Sequence, residues 1–89
     1  MRYKIVNVTD RAGNVKKEFM AELQEAHPAM SGVLLYPISK KSIERIPLCL
    51  IWTDQSDKML RTSTIMGYEE NNNIITVTTR NSVYTLEAN

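Results

Sequence analysis

Met59-Leu60-Arg61-Thr62-Ser63-Thr64-Ile65-Met66, then Ile74-Ile75-Thr76-Val77-Thr78-Thr79, then Ser82-Val83-Tyr84-Thr85-Leu86: three runs rich in Thr, Ile, Val and Tyr fill the last third of the chain. β-Branched and aromatic side chains suit a pleated backbone. The runs are parted by Glu69-Glu70-Asn71-Asn72-Asn73 and by Arg80-Asn81, residues that suit tight reversals. The stretch predicts three consecutive antiparallel strands, with the upstream chain packed against them. Gly67 marks a bulge or bend that lets the first and longest run serve two sides of a barrel.

Working back, Leu48 to Thr53 is the most apolar run and predicts a central strand. Asp54-Gln55-Ser56-Asp57 turns it into the meander. Ser39 to Arg45 reads as a helical turn or a polar connection, and Val33 to Tyr36 as a short strand closed by Pro37. At the other end, Arg2 to Thr9 alternates as a first strand, and Asp10 to Asn14 is a turn in which Gly13 and Asn14 accept positive φ. Residues 15–26 fit two patterns. Val15, Phe19, Leu23 and Ala26 share a helical face, whereas Val15, Phe19, Ala21 and Leu23 share a strand face. Ala, Glu, Leu, Met, Lys and Gln dominate the segment, so a helix is the better reading, with Asn14 as its cap and His27-Pro28 as its stop.

These elements predict a single domain over residues 1–89, mainly β with one short helix (α+β). The architecture is a small, strongly bent antiparallel sheet or a half-open barrel of the Src-homology (SH3-like) or oligonucleotide-binding (OB-like) type. A four- or five-stranded sheet with the helix lying across one face is the alternative.

Eleven basic and ten acidic residues leave a formal charge of +1, which fits neither a dedicated duplex-DNA binder nor an acidic mimic of nucleic acid. Cys49 is the only cysteine, so no internal disulfide can form, and its apolar surroundings read as a buried thiol. The N-terminal residues lack the apolar core of a signal peptide and no segment has the length of a membrane span. A cytoplasmic protein is expected.

Chemistry is hard to place on this chain. One Cys and one His make a poor start for a metal site. The carboxylate pairs Glu69-Glu70 and Asp54/Asp57 fall in turns, and the three glycines are scattered rather than set in a phosphate loop. No enzyme and no cofactor is expected; a small enzyme or metal protein around Cys49 and His27 is the remote alternative. Binding is the better class. Candidate contact residues are Arg61 and Ser63 on the first run, Arg80 and Asn81 at the last turn, and the aromatics Trp52 and Tyr84. For Trp52 a place in the core is the favoured reading, and for Tyr84 a half-buried place on its strand with the hydroxyl at a polar rim.

Leu60-Arg61-Thr62-Ser63-Thr64-Ile65, paired with Val77-Thr78-Thr79-Arg80-Asn81-Ser82-Val83-Tyr84-Thr85-Leu86, resembles short uncharacterised bacterial and phage-type accessory proteins that end in a similar strand pair. The resemblance covers the last third of the chain and brings no catalytic residue. It implies an accessory or regulatory role through protein contacts. A small nucleic-acid-binding barrel is the alternative, with Arg61, Arg80, Lys40 and Lys41 around an aromatic face. The strand from Ser82 to Glu87 is expected at a sheet edge, where unpaired backbone groups invite a homodimer.

Overall fold

The C-terminal runs pair in sequence order. Strand β4 (Met59–Asn71) is antiparallel to β5 (Ile74–Thr79), and β5 to β6 (Ser82–Ala88). The β4–β5 reversal is tight because Asn72 adopts φ 57, a left-handed conformation that Asn tolerates better than most residues. Upstream lie β1 (Arg2–Asp10), helix α1 (Lys17–Ala26), β2 (Ser31–Leu34) and β3 (Pro47–Trp52). The computed structural model, which describes residues 1–89, joins all six strands into a closed antiparallel barrel in which each strand neighbours its predecessor and β6 returns to β1. The mainly-β class with one helix is the one that composition and alternation predict, and closure goes beyond the half-open barrel expected.

Closure corrects the expectation of an edge at the last strand. β6 bonds to β5 on one side and to β1 on the other, from Tyr3 opposite Ala88 to Asp10 opposite Ser82. Its backbone is therefore paired on both sides, and the strand is not a sheet edge.

β4 makes closure possible by changing partners along its length. Met59 to Thr64 pair with β3, and Ile65 to Asn71 pair with β5. The register shifts between Ile65 and Gly67, as a bulge near Gly67 predicts.

Inward side chains alternate along the strands, interrupted by register shifts in β1 and β4, and meet in one core. Val8, Leu50, Ile65, Val77 and Leu86 are fully enclosed, and Ile5, Leu48 and Ile75 nearly so. Each such side chain contributes roughly 1.5–3 kcal/mol relative to exposure. Trp52 and Tyr84 belong to the same core. Gly32 lies opposite Trp52, and a Cβ there would come within 2.6 Å of the Ile51 carbonyl and the Leu50 side chain. This fit sets β2 at Ser31–Leu34, earlier than the expected Val33 to Tyr36. Leu35 still donates its N–H to the Cys49 carbonyl.

Residues 15–30 cover the flank of β1 that the four-residue β2 leaves open. Val15 bridges to Thr9, the Lys16 N–H donates to the Val8 carbonyl, and the Ile5 N–H donates to the Met30 carbonyl. Ala26, which the predicted helical face includes, is exposed, whereas Phe19 and Leu23 of α1 pack onto the core as that face predicts, joined by Met20, which it did not include. Val15 does not: the helix begins after it, and Val15 is exposed. Nor does Asn14 cap the helix. Its side chain and backbone N–H both donate to the Asp10 carboxylate, which also takes the Ala12 N–H. These bonds hold the Asp10 carboxyl below its ordinary value of 3.8, the Asn14 backbone contributing most.

At the opposite end, the connection from β2 to β3 packs Ile38 and Ile46 against the core. It contains a 3-10 turn at Lys40–Ser42, where the Ser39 and Ser42 hydroxyls each accept a backbone N–H of the other end of the turn.

Candidate protein-docking face

The outward side chains of β2, β3 and β4 line up because pairing register places them opposite one another. Val33 faces Ile51, and Ile51 faces Met59. Neighbouring strands lie roughly 4.8 Å apart, so this row of three apolar side chains crosses about 10 Å of the barrel wall. Val33 is 38% and Met59 45% exposed, and Ile51 between them is half-buried. Leu35, at 41%, follows Val33 two residues along, and Tyr36 beyond it is also exposed. Outward positions of a solvated barrel wall are ordinarily polar, as Thr76, Thr78 and Thr85 are on β5 and β6. Three apolar side chains in one cross-strand row, with the exposed Leu35 and Tyr36 in the bend that follows β2, are a different kind of surface.

Cys49 lies in the next row, opposite Arg61. It points outward between Leu48 and Leu50, yet only 5% of it is accessible. The thiol is a buried hydrophobe, but it is packed under the outer face and not in the barrel core.

Cations frame this wall. Arg2 lies directly opposite Val33, Lys4 opposite Ser31, and Arg61 opposite Cys49. The Arg11 guanidinium is engaged by the Thr79 and Arg80 carbonyls, and the Lys16 ammonium by the Ser82 hydroxyl at 2.6 Å. Arg2, Lys4 and Arg61 donate to nothing within the chain; the only ion-pair geometry is between His27 and Asp54.

The six residues singled out in the sequence separate into three places. Arg61 stands one row from the apolar side chains, opposite Cys49. Ser63, Arg80 and Asn81 meet at a corner: the Asn81 N–H donates to the Ser63 hydroxyl at 3.3 Å, and the Arg80 N–H to the Thr64 carbonyl at 3.1 Å. Trp52 and Tyr84 offer no aromatic platform. Both are inward positions of their strands and sit in the core at 3% and 5% exposure. Burial pushes the Tyr84 phenol above its ordinary value of 10.0, with the Ser82 side chain pulling weakly the other way.

Sequence reasoning passed over two features. The apolar row needs residues from three strands, and their register is not visible along the chain. The other is His27, read as a simple helix-end residue. It is buried, stacks on Trp52 with ring centroids 4.0 Å apart, and places Nδ1 2.8 Å from the Asp54 carboxylate. No buried side-chain nitrogen or oxygen lacks a partner, so Nε2, which has none in the protein, reaches solvent. Cys49 and Trp52 point to opposite sides of β3, so thiol and imidazole are not brought together. No group of three or more His, Cys, Asp or Glu is placed to hold a metal ion.

A recess of about 250 Å³ opens at the barrel mouth, lined chiefly by Tyr3, Leu34, Ile38, Ile75 and Glu70. It is smaller than the roughly 300–1,000 Å³ of ordinary ligand pockets, and two more open recesses, of about 460 Å³ beside Val15 to Phe19 and about 440 Å³ beside Gly67 to Glu69, lie elsewhere on the surface. No helix is long and apolar enough to cross a membrane.

Fold and surface thus define a small closed β-barrel with an apolar outer wall. Comparison with protein-family models, with curated proteins and with solved structures finds no match to this chain.

Proposed function

We propose that this chain is a non-enzymatic binding module, an accessory or regulatory protein of the bacterial or phage kind that acts in the cytoplasm through protein contacts. Its docking surface is the outer wall of β2, β3 and β4. The observation that carries this reading is the cross-strand row Val33, Ile51 and Met59, solvent-facing and apolar. The interior is full, the mouth recess is small, and no acid–base pair stands beside a nucleophile, so the wall is the surface with most to gain from a partner.

The test compares the tagged native chain with the double variant Val33→Ser/Met59→Ser in pull-downs from lysate of the source cells. A stoichiometric partner retained by the native chain and lost by the variant supports the reading. Equal recovery by both, or no partner together with turnover of a metabolite by the isolated chain, overturns it.

A further inference from the structure

We infer that the partner of the β2–β3–β4 wall is an acidic protein segment, one that sets apolar side chains between carboxylates; this rests on the docking reading above. The argument is charge complementarity. Arg2 and Lys4 on β1 and Arg61 on β4 stand around the apolar row, and no side chain of the three has a hydrogen-bond or ion-pair partner within the chain. The outward positions of β2 and β3 carry no carboxylate. The nearest ones are engaged or displaced: Asp54 is held by His27, Glu87 lies across β1 beside Lys4, and Asp57 is in the β3–β4 turn. A chain whose net charge is only +1 therefore sets two arginines with no acidic side chain opposite them, Arg2 and Arg61, at the rim of this apolar wall, with Lys4 between Ser31 and Glu87.

A second copy of this chain fits that wall poorly. Two such faces brought together would set Arg2 and Arg61 against their own copies, and Glu87, the one carboxylate on the rim, already lies opposite Lys4. Single-stranded nucleic acid would find the cations but a single exposed aromatic, Tyr36, to stack on, since Trp52 and Tyr84 are inside. An acidic, apolar segment satisfies both parts of the surface: carboxylates meet Arg2, Lys4 and Arg61, and aliphatic or aromatic side chains cover Val33, Ile51, Met59 and Leu35. The wall is only about three strands wide, which places the contact in the small, transient class of interfaces, with micromolar affinity on the order of that class.

The experiment is selection from a random twelve-residue peptide library displayed on phage, against the immobilised full chain, with free Val33→Ser/Met59→Ser protein as counter-selection. The expected result is a set enriched in Asp and Glu flanking apolar residues. Synthetic copies should bind about tenfold more weakly to Arg2→Glu/Arg61→Glu, the loss expected from two exposed ion pairs, and more weakly in high salt. Peptides that depend on Val33 and Met59 but show no acidic excess overturn the charge assignment and leave the docking wall standing. An empty selection, or one indifferent to Val33 and Met59, overturns both. Sedimentation of the native chain as a dimer that Val33→Ser/Met59→Ser dissociates would make a second copy the occupant, as tight binding of an oligonucleotide dependent on Arg2 and Arg61 would make it nucleic acid. Either result overturns the proposal.

Discussion

The imidazole of His27 lies flat on the indole of Trp52, with ring centroids 4.0 Å apart and planes within 10° of each other. The same imidazole meets Asp54 at 2.8 Å, so the end of α1 is fastened to both the last residue of β3 and the turn after it. Replacing His27 with Ala removes the stack, opens space beside the indole and leaves Asp54 without its partner. A loss of about 2–3 kcal/mol is expected in urea denaturation. His27→Phe keeps the stack and should lose about half as much. Trp52 emission should shift to the red in the alanine variant as water reaches the ring. Equal stability of the native chain and His27→Ala would show that α1 is not held there.

Gly32 and Gly67 should behave oppositely. Gly32→Ala drives a methyl into the Ile51 carbonyl and the Leu50 side chain at 2.6 Å, and a loss of about 2–3 kcal/mol is expected. A Cβ at Gly67 meets nothing within 4 Å. Gly67→Ala should be neutral or stabilise by up to about 1 kcal/mol, because it restricts the unfolded chain. Paired denaturation curves test both.

The fold is expected to fail at high pH through Tyr84. Its phenol is raised above 10.0 in the folded state because burial disfavours the phenolate. The protonated form is the one the fold favours, so this stability is present below pH 10.0 and is lost as pH rises through the folded value. Tyr84→Phe should flatten the alkaline limb of stability against pH, measured by thermal melts.

Asp10 acts at the other end of the scale. Its carboxyl is lowered from 3.8 chiefly by the Asn14 backbone N–H. The ionised form is favoured, so its contribution is present above pH 3.8 and is lost as pH falls through the folded value. Asp10→Asn should make acid unfolding less steep. A native acid limb identical to that of the variant would remove the turn from the account.

Cys49 should react with a thiol reagent slowly in the native protein and rapidly in denaturant, because only 5% of it is accessible. The labelling rate should follow opening of the β3–β4 pair rather than the reactivity of the thiol itself.

The meander, the turn residues and the helical stretch were legible because each is written in local composition: β-branched runs for β4 to β6, Asp10 to Asn14 for the turn, and helix formers across Lys17 to Ala26. Closure was not. Whether Ser82–Ala88 ends a sheet or completes a ring depends on pairing with Arg2–Asp10 at the far end of the chain, and no local signal records that. The site was less legible still. Arg61 could be picked out as an exposed cation, but Val33, Ile51 and Met59 look like three unrelated apolar residues until register sets them side by side. Trp52 and Tyr84 were candidates because an aromatic on a strand can face either way. Alternation with Leu48 and Leu50, and with Ser82 and Leu86, turns both inward.

The seam between β1 and β6 has a cost in time. Tyr3 must find Ala88, and Ile5 must find Leu86, after nearly the whole chain has been laid down between them. Contacts so distant in sequence form late, because a long loop must be closed before they can form. During synthesis the first strand waits with one flank bare until Ser82–Ala88 has left the ribosome, and for that interval the newborn polypeptide is most exposed to capture by chaperones or by its own neighbours.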